Sequence, residues 1–376
     1  MKKTGRIFII LSTAVLILWI IPWISALITA KPFTSPLTLY SPVLHDFTTN
    51  DRGKALRLTD RQGKHYGDEV QPLFYYMVLV SKGKLPKEID GHKITPEKIK
   101  LHRYNMAERP QYVNVKKPAA YLLMESVPER LELHDPEYAM IFRKDGLHIY
   151  EMASNSEDKE KTKAFTSVLS ELEFKFPANL ISGNPTHHKE HDEGYLLTDS
   201  EGKLFRLKMT NGKPEAEHFA KADGIELKYI SVIEIASKDI IGYLTDKNNV
   251  LYILRPSGEA IRTEAKWNPQ KESLFVVGDM LYHTIKAYDS NGERIYALRT
   301  SDFSFVDKLE RNYDKPQPFN ICRYLLPFRI YFVSSNDAYV MPRIKDFSWA
   351  GLMADTVIAS LAIFLLRRKK NTAKHI

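Results

Sequence analysis

Residues 7–30 read IFIILSTAVLILWIIPWISALITA, a run of 24 residues without a charged side chain. At about 1.5 Å of rise per residue, a helix over this run outspans the ~30 Å hydrocarbon core of a bilayer. A cleaved secretory signal is the competing reading. Such signals carry an apolar stretch of only about 7–15 residues and end on a small-x-small cleavage site. Here the nearest ending, Ile28-Thr29-Ala30, places isoleucine where a small residue is needed. The run is therefore expected to be a retained transmembrane helix. Pro22 falls where a spanning helix tolerates a kink, and Trp19 and Trp23 are expected at the outer interface.

A second span is expected over 347–366, FSWAGLMADTVIASLAIFLL, which ends at Arg367-Arg368-Lys369-Lys370. A buried C-terminal helix of a soluble domain is the competing reading. The formal net charge of +8 resides at the two ends of the chain. The first six and last ten residues hold eight of the 54 basic residues and no acidic one, leaving 46 basic against 46 acidic between them. A body with no net charge lacks the electrostatic footprint of a nucleic-acid-binding protein. The basic ends instead set orientation, because cytoplasmic flanks of membrane helices are enriched in Lys and Arg. The expected location is the inner membrane, with two spans, both termini (1–6 and 367–376) cytoplasmic and residues 31–346 periplasmic. The lipid bilayer is then the first partner.

Asp355 is the only charge in the second span. At a helix centre an ionised carboxylate costs roughly 2.5–3.5 kcal/mol. Lying near Trp349, it is either shallow enough to be solvated or paired with a polar group on a partner helix. Ala350 and Ala354, with Gly351 beside them, form a small-residue stripe that permits close helix approach. Ala350, Ala354 and Asp355 are thus candidate partner-helix contacts, although the same stripe would serve packing on the first span.

Cys322 is the only cysteine, which excludes an intrachain disulfide and thiolate zinc sites. Its apolar surroundings predict a buried, inert thiol. Residues 31–53, rich in Pro, Ser and Thr, read as a linker. Residues 54–180 read as an α+β region, with helices over 69–81, from Thr95-Pro96 onward, and over 155–172. The last is capped by Asn155 or Ser156 and has Phe165, Val168, Leu169 and Leu172 on one face. Residues 181–346 read as β-rich. Asp199, Asp246 and Asp289 each open a turn between two short apolar runs, and they lie 47 and 43 residues apart. Asp60 and Asp145 open similar turns. That spacing suits propeller blades of about 40–50 residues. The fold class is accordingly membrane-anchored and mainly β with an α+β part: two transmembrane helices flanking a β-propeller-like or β-meander exterior domain.

The string His187-His188-Lys189-Glu190-His191 matches H-x-x-E-H. In that pattern two histidines one helical turn apart bind zinc and the glutamate is the general base. Asn184-Pro185 could open a short helix there. No third ligand is marked out, and a polar surface loop is the competing reading. His187 and His191 are weak metal candidates, and an envelope metal-dependent hydrolase using them with Glu190 is the alternative function. The chain has no P-loop and no G-x-S-x-G elbow. Its Asp-led turns lack the acidic density of calcium loops. No cofactor is expected.

One set of residues carries a family resemblance. It comprises Pro185-Thr186, Lys189, Asp192-Glu193-Gly194-Tyr195, Asp199, Gly202, Leu204-Phe205, Leu207-Lys208-Met209 and Gly212-Lys213-Pro214, with Leu85-Pro86, Ile89 and Gly91 upstream. Over most of its length the chain resembles a family of bacterial membrane proteins grouped as domain of unknown function 4857. His191 stands where that family usually has tyrosine, which weakens the zinc reading. The resemblance brings no known chemistry. It implies a non-catalytic accessory or binding subunit beside the permease of an ABC-type transporter.

Overall fold

The computed structural model describes residues 3–29, 35–50, 58–115, 120–127, 135–189, 191–313 and 322–372. They fall into two compact units, 36–313 and the pair of terminal segments 1–35 and 314–376.

The larger unit is a succession of five antiparallel sheets, over 37–66, 120–157, 181–218, 227–266 and 273–312, each with four strands paired in chain order. The Asp-led turns explain how such short strands keep their register. The Asp199 carboxylate accepts the N–H groups of Glu201 and Lys203, and that of Asp289 accepts those of Asn291 and Gly292. Asp246 accepts the N–H of Val250. At Asp199 and Asp246 the side chain adds to the backbone hydrogen bond of the turn, and at Asp289 it takes the Gly292 N–H itself. Asp145, Asp199, Asp246 and Asp289 all lie between the second and third strands of their sheets, whereas Asp60 lies between the third and fourth of the first.

From the second onward, successive sheets share buried faces. Met140, Leu147 and Ile149 of the second sheet pack with Leu197, Phe205 and Leu207 of the third. Leu196 and Leu204 of the third pack with Ile230, Leu244 and Leu254 of the fourth. Tyr243, Leu251 and Ile253 of the fourth meet Leu274, Val276 and Ile285 of the fifth. Tyr40 and Phe47 of the first sheet then pack on Ile295 and Ala297 of the fifth. Each fully buried side chain of this kind contributes roughly 1.5–3 kcal/mol of gross burial. The N-terminal sheet thus packs on the last one, as in a propeller.

The fifth sheet carries an additional strand, Tyr104–Glu108, paired to Ser273–Gly278 at one edge. This strand also reaches the fourth sheet: the Tyr104 and Tyr243 hydroxyls are hydrogen-bonded, and Ser231 donates to Glu108 at 2.9 Å. The two ends of the unit meet at a buried ion pair. Lys286 Nζ donates to the Pro36 carbonyl at 2.8 Å and pairs with Glu293, which also accepts from the Tyr313 hydroxyl at 2.6 Å and meets Arg311 Nε at 2.9 Å.

Four sequence expectations are corrected here. The linker expected over 31–53 contains strands Leu37–Ser41 and Asp46–Asn50, paired from Leu37↔Asn50 to Ser41↔Asp46. Their threonines suit a strand as well as a loop, and Leu39 and Phe47 are buried. The helix expected over 69–81 is broken into turns Asp68–Val70 and Leu73–Tyr75 before helix Tyr76–Ser81, with Pro72 between them. The helix expected over 155–172 is Lys159–Glu171, and its cap is Asp158, which accepts the Lys161 N–H at 2.9 Å. Ser156–Glu157 is instead the edge strand of the second sheet. Phe165 and Leu169 of that helix are fully buried, as their spacing predicts. The β-rich unit ends at Tyr313 rather than at 346.

The smaller unit holds helix Lys3–Thr29, short helix Cys322–Leu325, hairpin Arg329–Tyr331/Arg343–Lys345 and helix Trp349–Thr372. Within the first helix, Ile7–Ile28 is 22 residues long with mean hydropathy 2.6, and only 6% of its most apolar window is buried. This is the one described helix that is long and apolar enough to cross a membrane. In the C-terminal helix the apolar stretch Trp349–Leu365 is shorter than that criterion. Gly351 lies against the 326–327 backbone, where an added Cβ would stand 2.0 Å from the Leu326 carbonyl oxygen. The small-residue stripe is thus already used, in part, within the chain. Ala350 is exposed, Ala354 and Asp355 are half-buried, and Cys322 is buried as expected.

Candidate binding cleft and buried charge network

The H-x-x-E-H segment is not helical, so its histidines do not stack one turn apart. Gly183 ends a strand, and the chain then bends through 187–189 before Tyr195 opens the next. His187 Nδ1 meets Asp135 at 3.0 Å, and its ring lies 3.9 Å from that of His188. His191 Nε2 faces Glu193 at 3.5 Å. Burial lowers the pKa of His191, against the opposing pull of Glu193. Glu190 lies outside the described residues. Among those described, no group of three or more His, Cys, Asp or Glu side chains is placed to hold a metal.

What this segment does build is a buried charge network. Lys189 is 5% exposed and pairs with Asp192 and, at 2.7 Å, with Glu234, which is 2% exposed. Lys189 also donates to the Asn184 carbonyl. Glu234 accepts from the Glu193 N–H and the Asn184 amide, and Ser126 donates to Asp192. Alongside, Arg206 donates to Glu193 at 2.9 Å and to Glu217 at 2.7 Å. Burial raises the Glu234 pKa, opposed by Lys189 and the two N–H donors. Glu234 follows the first strand of the fourth sheet, so the network ties the third sheet to the fourth. Gly194 has φ +71°, and a Cβ there would lie 2.3 Å from the Leu207 carbonyl oxygen. Gly194→Ala should therefore cost at least about 2–3 kcal/mol, combining left-handed strain with a backbone clash. A thermal melt of the variant checks this; an unchanged midpoint would refute the packing described.

Sequence reasoning missed a second feature, a polar cleft of about 510 Å³. Its walls come from three separated segments. Tyr40 and His45 belong to the first hairpin, Asp90 and His92 to hairpin 88–93, and Tyr282 and Arg299 to the fifth sheet. The Asp90-Gly91 turn has positive φ at both residues, the geometry that Asp-Gly hairpins prefer. It directs Asp90 toward His45 Nε2 at 3.5 Å and the Tyr282 hydroxyl at 3.5 Å. His45 itself adopts φ 51°. The Tyr40 pKa is pushed up to about 12 by burial, with Tyr282 and the Asp307 and Asp46 carboxylates adding to it. Burial, then Asp90, raises that of Tyr282. Both phenols hold their protons more tightly than usual, the opposite of an activated base or nucleophile. Two aromatic faces, an arginine, two imidazoles and a carboxylate equip the cleft to hydrogen-bond and stack on a ligand.

A comparison with curated proteins gives no match. Among solved structures, the chain is similar to the Dos1 propeller at 9% identity and TM-score 0.29, over 48% of this chain and 46% of that one. It is also similar to PorZ, a bacterial surface component of the type-IX secretion system of Porphyromonas gingivalis. That likeness has 11% identity and TM-score 0.22, over 76% of this chain and 28% of that one. The chain spans less than half the length of either structure. The sheet order described above rests on strand pairing and shared cores, since likenesses at such TM-scores carry no argument. The family model covers residues 37–298, which include the charge network and most of the cleft-lining residues, and the chain belongs to the family described as Domain of unknown function (DUF4857).

Proposed function

We propose that this chain is a non-catalytic binding subunit of the bacterial envelope, held in the inner membrane by helices at both ends and acting beside an ABC-type permease. The observation that carries the membrane part is the exposed apolar helix Ile7–Ile28. Helix Trp349–Thr372 supports a second span: Met353, Val357, Ile358, Leu361, Phe364 and Leu365 are all exposed along it. With basic residues at both ends, the positive-inside bias puts both termini in the cytoplasm and 31–346 in the periplasm. The binding role draws on the 36–313 unit, whose polar cleft offers recognition groups and whose buried ions are internally paired. The transport setting comes from the family resemblance. Ala350, Ala354 and Asp355 are the proposed contacts with a permease helix.

Gentle solubilisation from native membranes, followed by identification of co-purifying proteins, tests this reading. A permease and its ATPase are expected to co-purify. Asp355→Leu should reduce their recovery several-fold while leaving the fold intact by circular dichroism. Recovery of a lone monomer would refute the transport role.

A further inference from the structure

The polar cleft holds two opposite charges that do not pair with each other. Asp90 stands at the tip of hairpin 88–93, and Arg299 lies on the fifth sheet directly across from Tyr282. Asp90 reaches His45 Nε2 and the Tyr282 hydroxyl only at 3.5 Å, longer than an ordinary hydrogen bond. The Arg299 guanidinium makes no hydrogen bond or ion pair among the described residues. Asp302 is near enough to feel its charge, yet the Asp302 carboxylate accepts the N–H and hydroxyl of Ser304 and forms no ion pair with it. The carboxylates near Tyr40, Asp46 and Asp307, are both taken by Arg61. Beyond the effect of burial, Asp90 raises the pKa of Tyr282 and Arg299 lowers it, so both charges act on one phenol. Met280, Leu281 and Val306 supply apolar lining.

Charges left without partners in a cleft of ligand size are recognition groups. The volume of about 510 Å³ falls within the roughly 300–1,000 Å³ usual for small-molecule sites. A lone anion suited to Arg299 would be opposed by Asp90, and a lone cation suited to Asp90 would be opposed by Arg299. An uncharged sugar would take up the hydrogen bonds but leave both charges without a counter-charge. A ligand that carries both signs satisfies the two together. We propose that the cleft takes a zwitterion, a free amino acid or short peptide, with its ammonium group at Asp90, its carboxylate at Arg299 and an apolar side chain on Met280, Leu281 and Val306. A carboxylate matches the planar guanidinium fork, and the ring faces of Tyr40 and Tyr282 suit an ammonium group. This deepens, and rests on, the reading of the chain as a binding subunit that uses this cleft.

Thermal shift and calorimetric titration of the detergent-solubilised full chain test this. The probes are the free amino acids and a panel of dipeptides, each also supplied N-acetylated and as the C-terminal amide, with maltose and inorganic phosphate as the uncharged and anionic controls. At least one zwitterion is expected to raise the melting temperature saturably. Acetylation or amidation of that ligand should weaken binding roughly tenfold or more, since each removes a charged hydrogen bond. Asp90→Asn should cost the parent ligand as much as acetylation does and cost the acetylated form little more. Arg299→Gln should do the same for the amide. Equal binding of the blocked forms by the unsubstituted chain, a result that depends on no variant folding, would overturn the proposal. Binding of maltose or phosphate that is lost in Arg299→Gln, with no zwitterion bound, would overturn the ligand class and leave the cleft standing as a binding site. No binding by any probe would overturn the proposal, and co-purification of the permease, measured separately, would show whether the accessory role falls with it.

Discussion

Lys189→Met lowers the stability of the protein by about 3–5 kcal/mol, the usual cost of removing one partner from a buried ion pair. Lys189 and the two carboxylates it serves are each 5% exposed or less. Without it, Asp192 keeps Ser126 and Glu234 keeps the Glu193 N–H, but neither has another cation in hydrogen-bond reach among the described residues. Glu234, whose pKa burial already raises, must stay charged and unpaired or take up a proton. The loss should therefore shrink as the pH is lowered toward the range where Glu234 protonates. Lys203→Met is the control, because Lys203 meets Glu201 only at 3.7 Å and is 35% exposed; a surface change of this kind stays within about 0.5 kcal/mol. Urea unfolding of the detergent-solubilised chain measures both. Equal midpoints for the two variants would show that the network does not hold the third and fourth sheets together.

Acidification should destabilise the larger unit through His283. This side chain is buried between Tyr104 and Phe303, and its Nδ1 has no hydrogen-bond partner among the described residues. Burial, then the charge of His102, lowers its pKa from 6.5 to about 3. The unfolded chain thus binds the proton more readily than the folded one. The stability this contributes is complete above about pH 6.5 and is lost as the pH falls toward 3, by up to about 1.4 kcal/mol per pH unit. Asp279 acts in the opposite sense. Burial raises its pKa from 3.8 to about 6, despite the N–H donors of Leu281 and Tyr282. Its contribution is present below about pH 3.8 and lost as the pH rises through 6. The two oppose each other between about pH 4 and 6, and below that range the histidine acts alone. His283→Leu should therefore hold its melting temperature better than the parent between pH 5 and 3. Parallel pH profiles for the two proteins would refute the assignment.

The repeating part of the fold was legible because its code is local. An aspartate that braces its own turn announces a hairpin from four or five consecutive residues, and Asp199, Asp246 and Asp289 all do so. Helix Lys159–Glu171 was legible through Phe165 and Leu169 for the same reason. The first sheet was not, since strands with threonine at Thr38, Thr48 and Thr49 share the composition of a linker. The cleft was illegible because no single segment supplies its chemistry. His187 and His191 misled because spacing implies a shared face only on a helix, and that segment bends. Lys189, Asp192 and Glu193 stood out through resemblance, but their physical role depends on Glu234, which nothing local to them reveals.

The ion pair of Lys286 and Glu293 has a mechanical consequence. Lys286 holds the carbonyl of Pro36 and Glu293 holds the hydroxyl of Tyr313, so the first and last residues of the larger unit are fastened to one bridge. Tension arriving along the chain from either side reaches that bridge first. The fifth sheet, gripping both ends, acts as a clasp, and the other sheets stay unloaded until it opens.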